Sequence, residues 1–250
     1  MGNNTWADVN TLTVGQTRIN IHQAGSGGVT YVLIHGIGTS VRYFEPLAKV
    51  LSRHGLVYAV ELPGFGAVPK PSNALSIEDF ADVVEKALNQ LRITHAVVVG
   101  HSMGAQVAAA LAARSHGVVS AIVLLGPTVN DQRRTVIGQA LMLGLDTLRE
   151  SAAVNWIVFT DYLRAGMPWY LRTVRKMLEN RIEVTLAGVR CPIQLVSGGK
   201  DPIAPADWLE RIRDACPQAV ITQLADRPHV LMYKEPEAVA RLCLQAAAPR

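Results

Sequence analysis

Cysteine is scarce, with only Cys191, Cys216 and Cys243 in 250 residues. They are widely spaced, odd in number and free of any Cys-x-x-Cys pair, which argues against a disulfide framework and against a zinc site. Reduced, mostly buried thiols are expected. Long apolar runs are missing too: the longest, such as Val107 to Ala113, fall far short of the roughly 20 residues a spanning helix needs. The opening MGNNTWADVN has no positive stretch followed by an apolar one, and Trp6 stands where a myristoylation signal needs Ser or Thr. A cytoplasmic protein that leaves membranes alone is expected. A block of one charge sign is also absent. Lys and Arg number 24 against 20 Asp and Glu, a net +4, and the signs are interleaved. The densest basic cluster, Arg172, Arg175, Lys176 and Arg181, is broken by Glu179 and Glu183. That is the pattern of a solvated helix face, so nucleic acid is not an expected partner. No internal repeat or low-complexity tract is visible.

What is present is a compact-protein composition, 49% hydrophobic with 20 Gly and 13 Pro, and a chain long enough to bury a large core. Leu12 to Val14 and Arg18 to Gln23 read as an opening hairpin, followed by the loop Ala24 to Gly28. Four short apolar runs then recur: Tyr31 to Ile34, Val57 to Val60, Ala96 to Val99 and Ala121 to Leu125. Being continuous rather than alternating, they mark strands covered on both faces, as in a parallel sheet.

Helical patterns fill the intervals. Phe44, Leu47, Ala48 and Leu51 keep helical spacing up to Gly55; Ser76 caps a helix with Asp79 three residues on, and Phe80, Val83, Val84, Ala87, Leu88 and Leu91 trace its apolar face. The alternation predicts an α/β fold with a doubly wound, mostly parallel sheet. From 128 to 188 no strand is convincing, whereas Val136, Ile137, Ala140 and Leu141, then Leu171, Val174 and Leu178, keep helical spacing. The expected organisation is therefore a core of residues 1–127 and 189–250 with a helical lid inserted over 128–188. Strands return at Ile193 to Val196 and Val220 to Leu224, with helices from about Pro205 to Ala215 and Pro236 to Gln245.

The chemistry concentrates in Val97-Val98-Val99-Gly100-His101-Ser102-Met103-Gly104-Ala105. An apolar strand runs into Gly-x-Ser-x-Gly and then into an alanine-rich helix, the setting in which this short motif carries meaning. A serine on so sharp a turn takes a strained backbone, and side chains in place of Gly100 and Gly104 would collide with the neighbouring strand and helix. The hydroxyl is thereby presented at a helix N-terminus, where amide dipoles favour developing negative charge.

Further motifs agree. His35-Gly36-Ile37-Gly38 follows one strand and Glu61-Leu62-Pro63-Gly64-Phe65-Gly66 the next; Gly198 to Pro205 and Arg227-Pro228-His229-Val230 follow the last two. Together these resemble the α/β-hydrolase superfamily, in its serine esterase and carbon-carbon hydrolase-like branch with a helical lid, from about Leu12 onward. Glu61 departs from the family's usual Asp. The resemblance implies Ser102 as nucleophile, His229 as base and Asp201 as the acid that orients it, in the family's chain order. It also implies an oxyanion hole from the backbone N–H groups of Ile37 and Met103. Asp131 is a competitor for the acid, because the superfamily sometimes supplies it there; the Gly-Gly-x-Asp-x-x-x-Pro setting favours Asp201.

Among other histidines, adjacent side chains at a sharp turn point apart, so His101 is expected to be structural. His35 is expected to organise its loop. His22, His54, His95 and His116 have no acid or nucleophile motif around them. In the lid, Trp156, Phe159, Tyr162, Leu163, Met167, Trp169 and Tyr170 either line an acyl pocket or pack the lid onto the core. The implied activity is hydrolysis of small to medium apolar carboxylic esters through an acyl-enzyme. Carbon-carbon hydrolysis of ring-cleavage diketones stays open, as do lactonase, amidase and perhydrolase chemistry and a small-molecule receptor. Serine at the elbow excludes the dehalogenases and epoxide hydrolases of this fold, which use Asp. No cofactor or metal is implied, and a monomer or homodimer acting on a small-molecule ester is expected.

Overall fold

The computed structural model describes residues 5–115 and 117–248; His116 and the first four residues, which bear on the reading of the N-terminus, lie outside them. Among the described residues seven strands form one sheet: β1 (Asp8–Val14), β2 (Thr17–Ile34), β3 (Gly55–Glu61), β4 (Ala96–His101), β5 (Val119–Leu125), β6 (Ile193–Gly198) and β7 (Ala219–Leu224). The order is β1-β2-β4-β5-β6-β7, with β3 also paired to β2. Pairing from the end of β2 through β4, β5, β6 and β7 is parallel.

The expected loop at Ala24 to Gly28 is instead an irregular stretch within β2. Gly25, Gly27 and Gly28 take positive φ there, and the register against β3 changes sense across it. Asn20 to Ala24 face Glu61 back to Val57, whereas Tyr31 to Ile34 face Val57 up to Val60. The glycines let the chain double back on β3 without leaving the hydrogen-bonded ladder.

The continuous apolar runs divide by parity. Val32, Ile34, Val98, Ile122 and Leu124 join one buried cluster; Tyr31, Leu33, Val97, Val99, Val123 and Leu125 join another. Successive side chains on a strand point to opposite faces, so a sheet packed on both sides needs apolar residues at every position. Helices α2 (Ile77–Gln90), α3 (Met103–Arg114) and α8 (Ala206–Ala215) cover the first face. Helices α1 (Glu45–Leu51), the short α9 (Leu231–Lys234) and α10 (Pro236–Ala247) cover the second. Helix α2 starts as its sequence predicts: Ser76 accepts from the Asp79 N–H and the Asp79 side chain accepts from the Ser76 N–H.

Between β5 and β6 stand α4 (Val136–Thr147), α5 (Ala152–Ala165), α6 (Met167–Glu179) and the short α7 (Ile182–Leu186). One feature of α4 differs from its apolar spacing. Ile137 and Leu141 are 74% and 61% exposed, because the inward side of the helix is given to Gln139, Leu143 and Asp146, which line a cavity. Polar bonds hold these helices to the rest. Buried Asp161 of α5 accepts from Ser40 Oγ at 2.6 Å and from Arg42 Nη1 at 2.8 Å. Gln106 of α3 donates to the Met177 carbonyl at 3.0 Å. Among the described residues no helix is long and apolar enough to cross a membrane.

Candidate active site

Strand β4 ends at His101 and α3 begins at Met103, so Ser102 alone makes the turn. Its φ of 55° and ψ of −119° lie where side-chain-bearing residues rarely go. The flanking glycines make the turn possible. A Cβ on Gly100 would overlap the Gly104 carbonyl, and a Cβ on Gly104 would overlap the Ile34 carbonyl of β2. Ser102 makes no side-chain cap bond to the helix it precedes, leaving Oγ uncommitted to α3. Its N–H is anchored on the Leu125 carbonyl at 2.9 Å.

His229 sits on the loop after β7, buried at 4% exposure. Its Nδ1 lies 2.8 Å from Asp201 Oδ2. The other oxygen of Asp201 accepts from the N–H groups of Ile203 at 2.8 Å and Ala204 at 3.0 Å. Asp201 is thus held as an acceptor on both oxygens, and His229 carries its proton on Nδ1. Nε2 is buried and has no hydrogen-bond partner among the described residues, Ser102 included; both side chains face one cavity. Burial lowers the His229 pKa, but Asp201, through charge and hydrogen bond, and then Asp146 and Glu150 raise it, to about 9.

The cavity is about 470 Å³, ordinary for a small-molecule site. Ile37, Ser102 and His229 line it together with Tyr162 and Met167. Met103 is buried at the head of α3, where a first-turn N–H has no acceptor within the helix. Gly38, at φ 74°, lies beneath the ring of Tyr162, which a Cβ would overlap.

Four residues of α5 and α6 grouped with these in the sequence do not line the cavity, Leu163 among them at 66% exposure. Trp156 and Phe159 are 64% and 55% exposed, on the outward side of α5. Trp169 is buried against Phe65, ring centroids 6.3 Å apart, and covers Gly64, so it packs α6 onto the core. Asp131 stands in an exposed turn with Oδ1 2.9 Å from Arg211 Nε, away from the imidazole. His22, His54 and His95 do not line the cavity.

His35 accepts the Leu62 N–H on Nε2 at 3.0 Å and approaches the Gly36 carbonyl through Nδ1 at 2.8 Å, binding two loops together. His101 closes a chain of hydrogen bonds. The Gly36 N–H donates to Tyr43 Oη at 2.7 Å, Tyr43 Oη lies 3.0 Å from His101 Nδ1, and His101 Nε2 lies 3.2 Å from the His229 carbonyl. Burial and the nearby His229 hold the His101 pKa well below its usual value, so its ring is neutral. With Tyr43 donating to Nδ1, Nε2 carries the proton to the His229 carbonyl.

Sequence motifs gave no sign of Tyr43, Gly126, Asp146 or Glu150. Gly126 follows β5, and a Cβ there would stand 2.6 Å from His229 Cε1; a glycine directly after an apolar strand was its only signal. Asp146 accepts the His229 N–H at 3.0 Å and Glu150 the Val230 N–H at 2.8 Å. Burial raises the pKa of both, that of Glu150 to about 7.

The family model described as the alpha/beta hydrolase family matches residues 31–242. The chain belongs to that family. This hydrolase is 32% identical over 114 residues to a 2-(acetamidomethylene)succinate hydrolase of Mesorhizobium japonicum, a match covering 46% of this chain and 41% of that protein. It is 21% identical to the AB hydrolase superfamily protein YisY of Bacillus subtilis, across 87% of this chain and 91% of that one. Among solved structures, the enol-lactonase from Burkholderia xenovorans LB400 superposes with a TM-score of 0.82 at 20% identity, over 95% of this chain and 99% of its own. A thermophilic esterase from Thermogutta terrifontis superposes with a TM-score of 0.79 at 20% identity, over 96% and 97%. The enzyme thus shares its fold with proteins named for ester and for lactone cleavage.

Proposed function

We propose that this enzyme is a serine hydrolase of neutral, mainly apolar carboxylic esters of small to medium size, with residues 128–188 as the lid over its substrate. Ser102 attacks the acyl carbonyl while His229 Nε2 takes its proton, and Asp201 fixes the tautomer and stabilises the imidazolium that results. The N–H groups of Ile37 and Met103 stabilise the oxyanion, each contributing about 3 kcal/mol to lowering the barrier. His229 returns that proton to the alkoxide as the ester C–O bond breaks and the alcohol leaves; water, giving a proton to the same nitrogen, then attacks the acyl-enzyme, and the acid departs as that proton restores the Ser102 hydroxyl. The observation that carries this reading is a single cavity holding both Ser102 on its strained turn and the free Nε2 of a histidine bonded to Asp201.

The lining also speaks to the substrate. It contains no Lys or Arg among the described residues, while Asp146 and Glu150 contribute two carboxylates, and the rest is largely aliphatic and aromatic. A substrate carboxylate would meet like charge and no Lys or Arg to offset it, while the His229 imidazole is already paired with Asp201; like charge at such range costs several kcal/mol. This disfavours the succinate derivatives for which the Mesorhizobium relative is named. At pH 8, p-nitrophenyl butyrate is expected to turn over with kcat/KM about 100-fold above that of mono-p-nitrophenyl succinate; equal values would remove the neutral-ester reading.

The raised His229 pKa has a direct kinetic consequence. A protonated imidazole cannot accept the Ser102 proton, so kcat/KM falls as pH drops through the histidine's pKa. That limb is expected near 9, well above the usual 6.5. A profile already level at pH 7 would contradict the charge arrangement around the ring.

A further inference from the structure

We infer that Asp146 and Glu150, which belong to the inserted helices and lie outside the proposed triad, are positioning residues for His229: they hold its backbone and set their charge against its ring. This rests on the reading of Ser102, His229 and Asp201 given above.

Asp146 lies in the last turn of α4 and Glu150 one turn further on. Asp146 Oδ1 accepts the N–H of His229 at 3.0 Å, and Glu150 Oε1 accepts the N–H of the next residue, Val230, at 2.8 Å. Between them, Arg149 Nη1 donates to the carbonyl of Lys200 at 2.6 Å, the residue before Asp201. Three side chains within one stretch of five residues therefore grip both the histidine loop and the acid loop. Bonds from carboxylate to N–H are charge-assisted and directional, and they restrict a loop whose own peptide groups have no ladder to join.

The charge placement is as telling as the geometry. Asp146 is 3% exposed, and burying a carboxylate is costly unless hydrogen bonds or a cation offset it. The titratable and charged groups around the pair are His229 and Asp201 from the core loops, Arg149 from the same helix end, Tyr162 from α5, and the two carboxylates themselves. His101 stands behind, its ring centroid 4.6 Å from that of His229. His229 is the group in this set that gains positive charge during the reaction. Negative charge preorganised beside it favours the imidazolium formed as Ser102 attacks, and it raises the resting pKa as well. Above about pH 7, where Glu150 ionises, its Oε2, buried with no hydrogen-bond partner among the described residues, acts on its surroundings through charge.

The test uses Asp146→Asn, Glu150→Gln, the double variant and Glu150→Ala. Asn and Gln keep an oxygen to accept the backbone N–H and remove the charge; Ala removes both. The readout is the rate of inactivation by diisopropyl fluorophosphate as a function of pH, with the modified residue identified by mass spectrometry. Below the limb, the rate follows the unprotonated fraction of His229. The amide variants are expected to move the acid limb about one pH unit lower, so they react faster than the parent at pH 8, where Glu150 is ionised, while their plateau rates fall. Glu150→Ala is expected to lose about tenfold in plateau rate. A role in stability alone would change melting temperature and leave the limb in place, and an unmoved limb in the double variant overturns the inference. Should Asp146→Asn fail to fold, Glu150→Gln decides, since Glu150 is only partly buried. Absence of label on Ser102 in the parent removes the triad reading, and this inference with it; normal labelling with an unmoved limb removes the inference alone.

Discussion

Replacing Ser102 with Ala is expected to lower kcat/KM for p-nitrophenyl butyrate by about 10⁵ to 10⁶, with the melting temperature almost unchanged. Nothing else in the cavity supplies an equivalent nucleophile at a helix N-terminus with a strained turn to present it. The fold should tolerate the change because the Ser102 side chain makes no capping bond, and Ala meets the same cost at φ 55° as Ser does. The backbone anchor to Leu125 at 2.9 Å is independent of the side chain. Residual activity should remain, since the N–H groups of Ile37 and Met103 still polarise a bound carbonyl. Parallel treatment with diisopropyl fluorophosphate should add one phosphoryl group to the parent and none to the variant. A variant that keeps more than a hundredth of the parent rate would mean that another group attacks.

The second large effect is expected at Asp201. Asp201→Asn preserves shape and inverts one donor. The Asn oxygen can still accept from the N–H groups of Ile203 and Ala204, as Asp201 Oδ1 now does at 2.8 and 3.0 Å. Its amide nitrogen then faces His229 Nδ1, so that nitrogen becomes the acceptor and Nε2 carries the proton. In that tautomer Nε2 cannot take a proton from Ser102. A loss of about 10⁴ in kcat follows from the wrong tautomer alone. Asp131 provides the contrast: its carboxylate is exposed and paired with Arg211 at 2.9 Å, so Asp131→Asn should leave kcat within about twofold. If Asp131→Asn abolished activity while Asp201→Asn spared it, the acid would have been assigned to the wrong strand end.

Much of the core is legible in the sequence because its signals are local. The apolar runs at 31–34, 57–60, 96–99 and 121–125 all fall in strands, since only residues buried on both faces of a sheet dispense with polar alternation. Ser76 and Asp79 marked the start of α2 by a reciprocal bond spanning four residues. The glycines around Ser102 announced a crowded turn, and the carbonyls of Gly104 and Ile34 occupy the space a Cβ would need. Where the sequence leaves alternatives open, a distant partner decides. Trp156, Phe159 and Trp169 looked alike as aromatic residues at helical spacing. Two face outward and one packs on Phe65, because the direction each faces depends on how α5 and α6 dock against the core.

The sequence by itself determined the sheet and the strained turn at Ser102, because backbone sterics and strand periodicity act within a few positions of the chain, and its resemblance to the α/β-hydrolase superfamily offered Asp201 and His229 as acid and base. Only the tertiary structure decided which aromatic residues meet the cavity, that Asp131 is committed to Arg211, and that Asp146 and Glu150 stand against the His229 loop. The last two depend on hydrogen bonds between segments about 80 residues apart in the chain, the first on how α5 and α6 dock, and no local pattern encodes either.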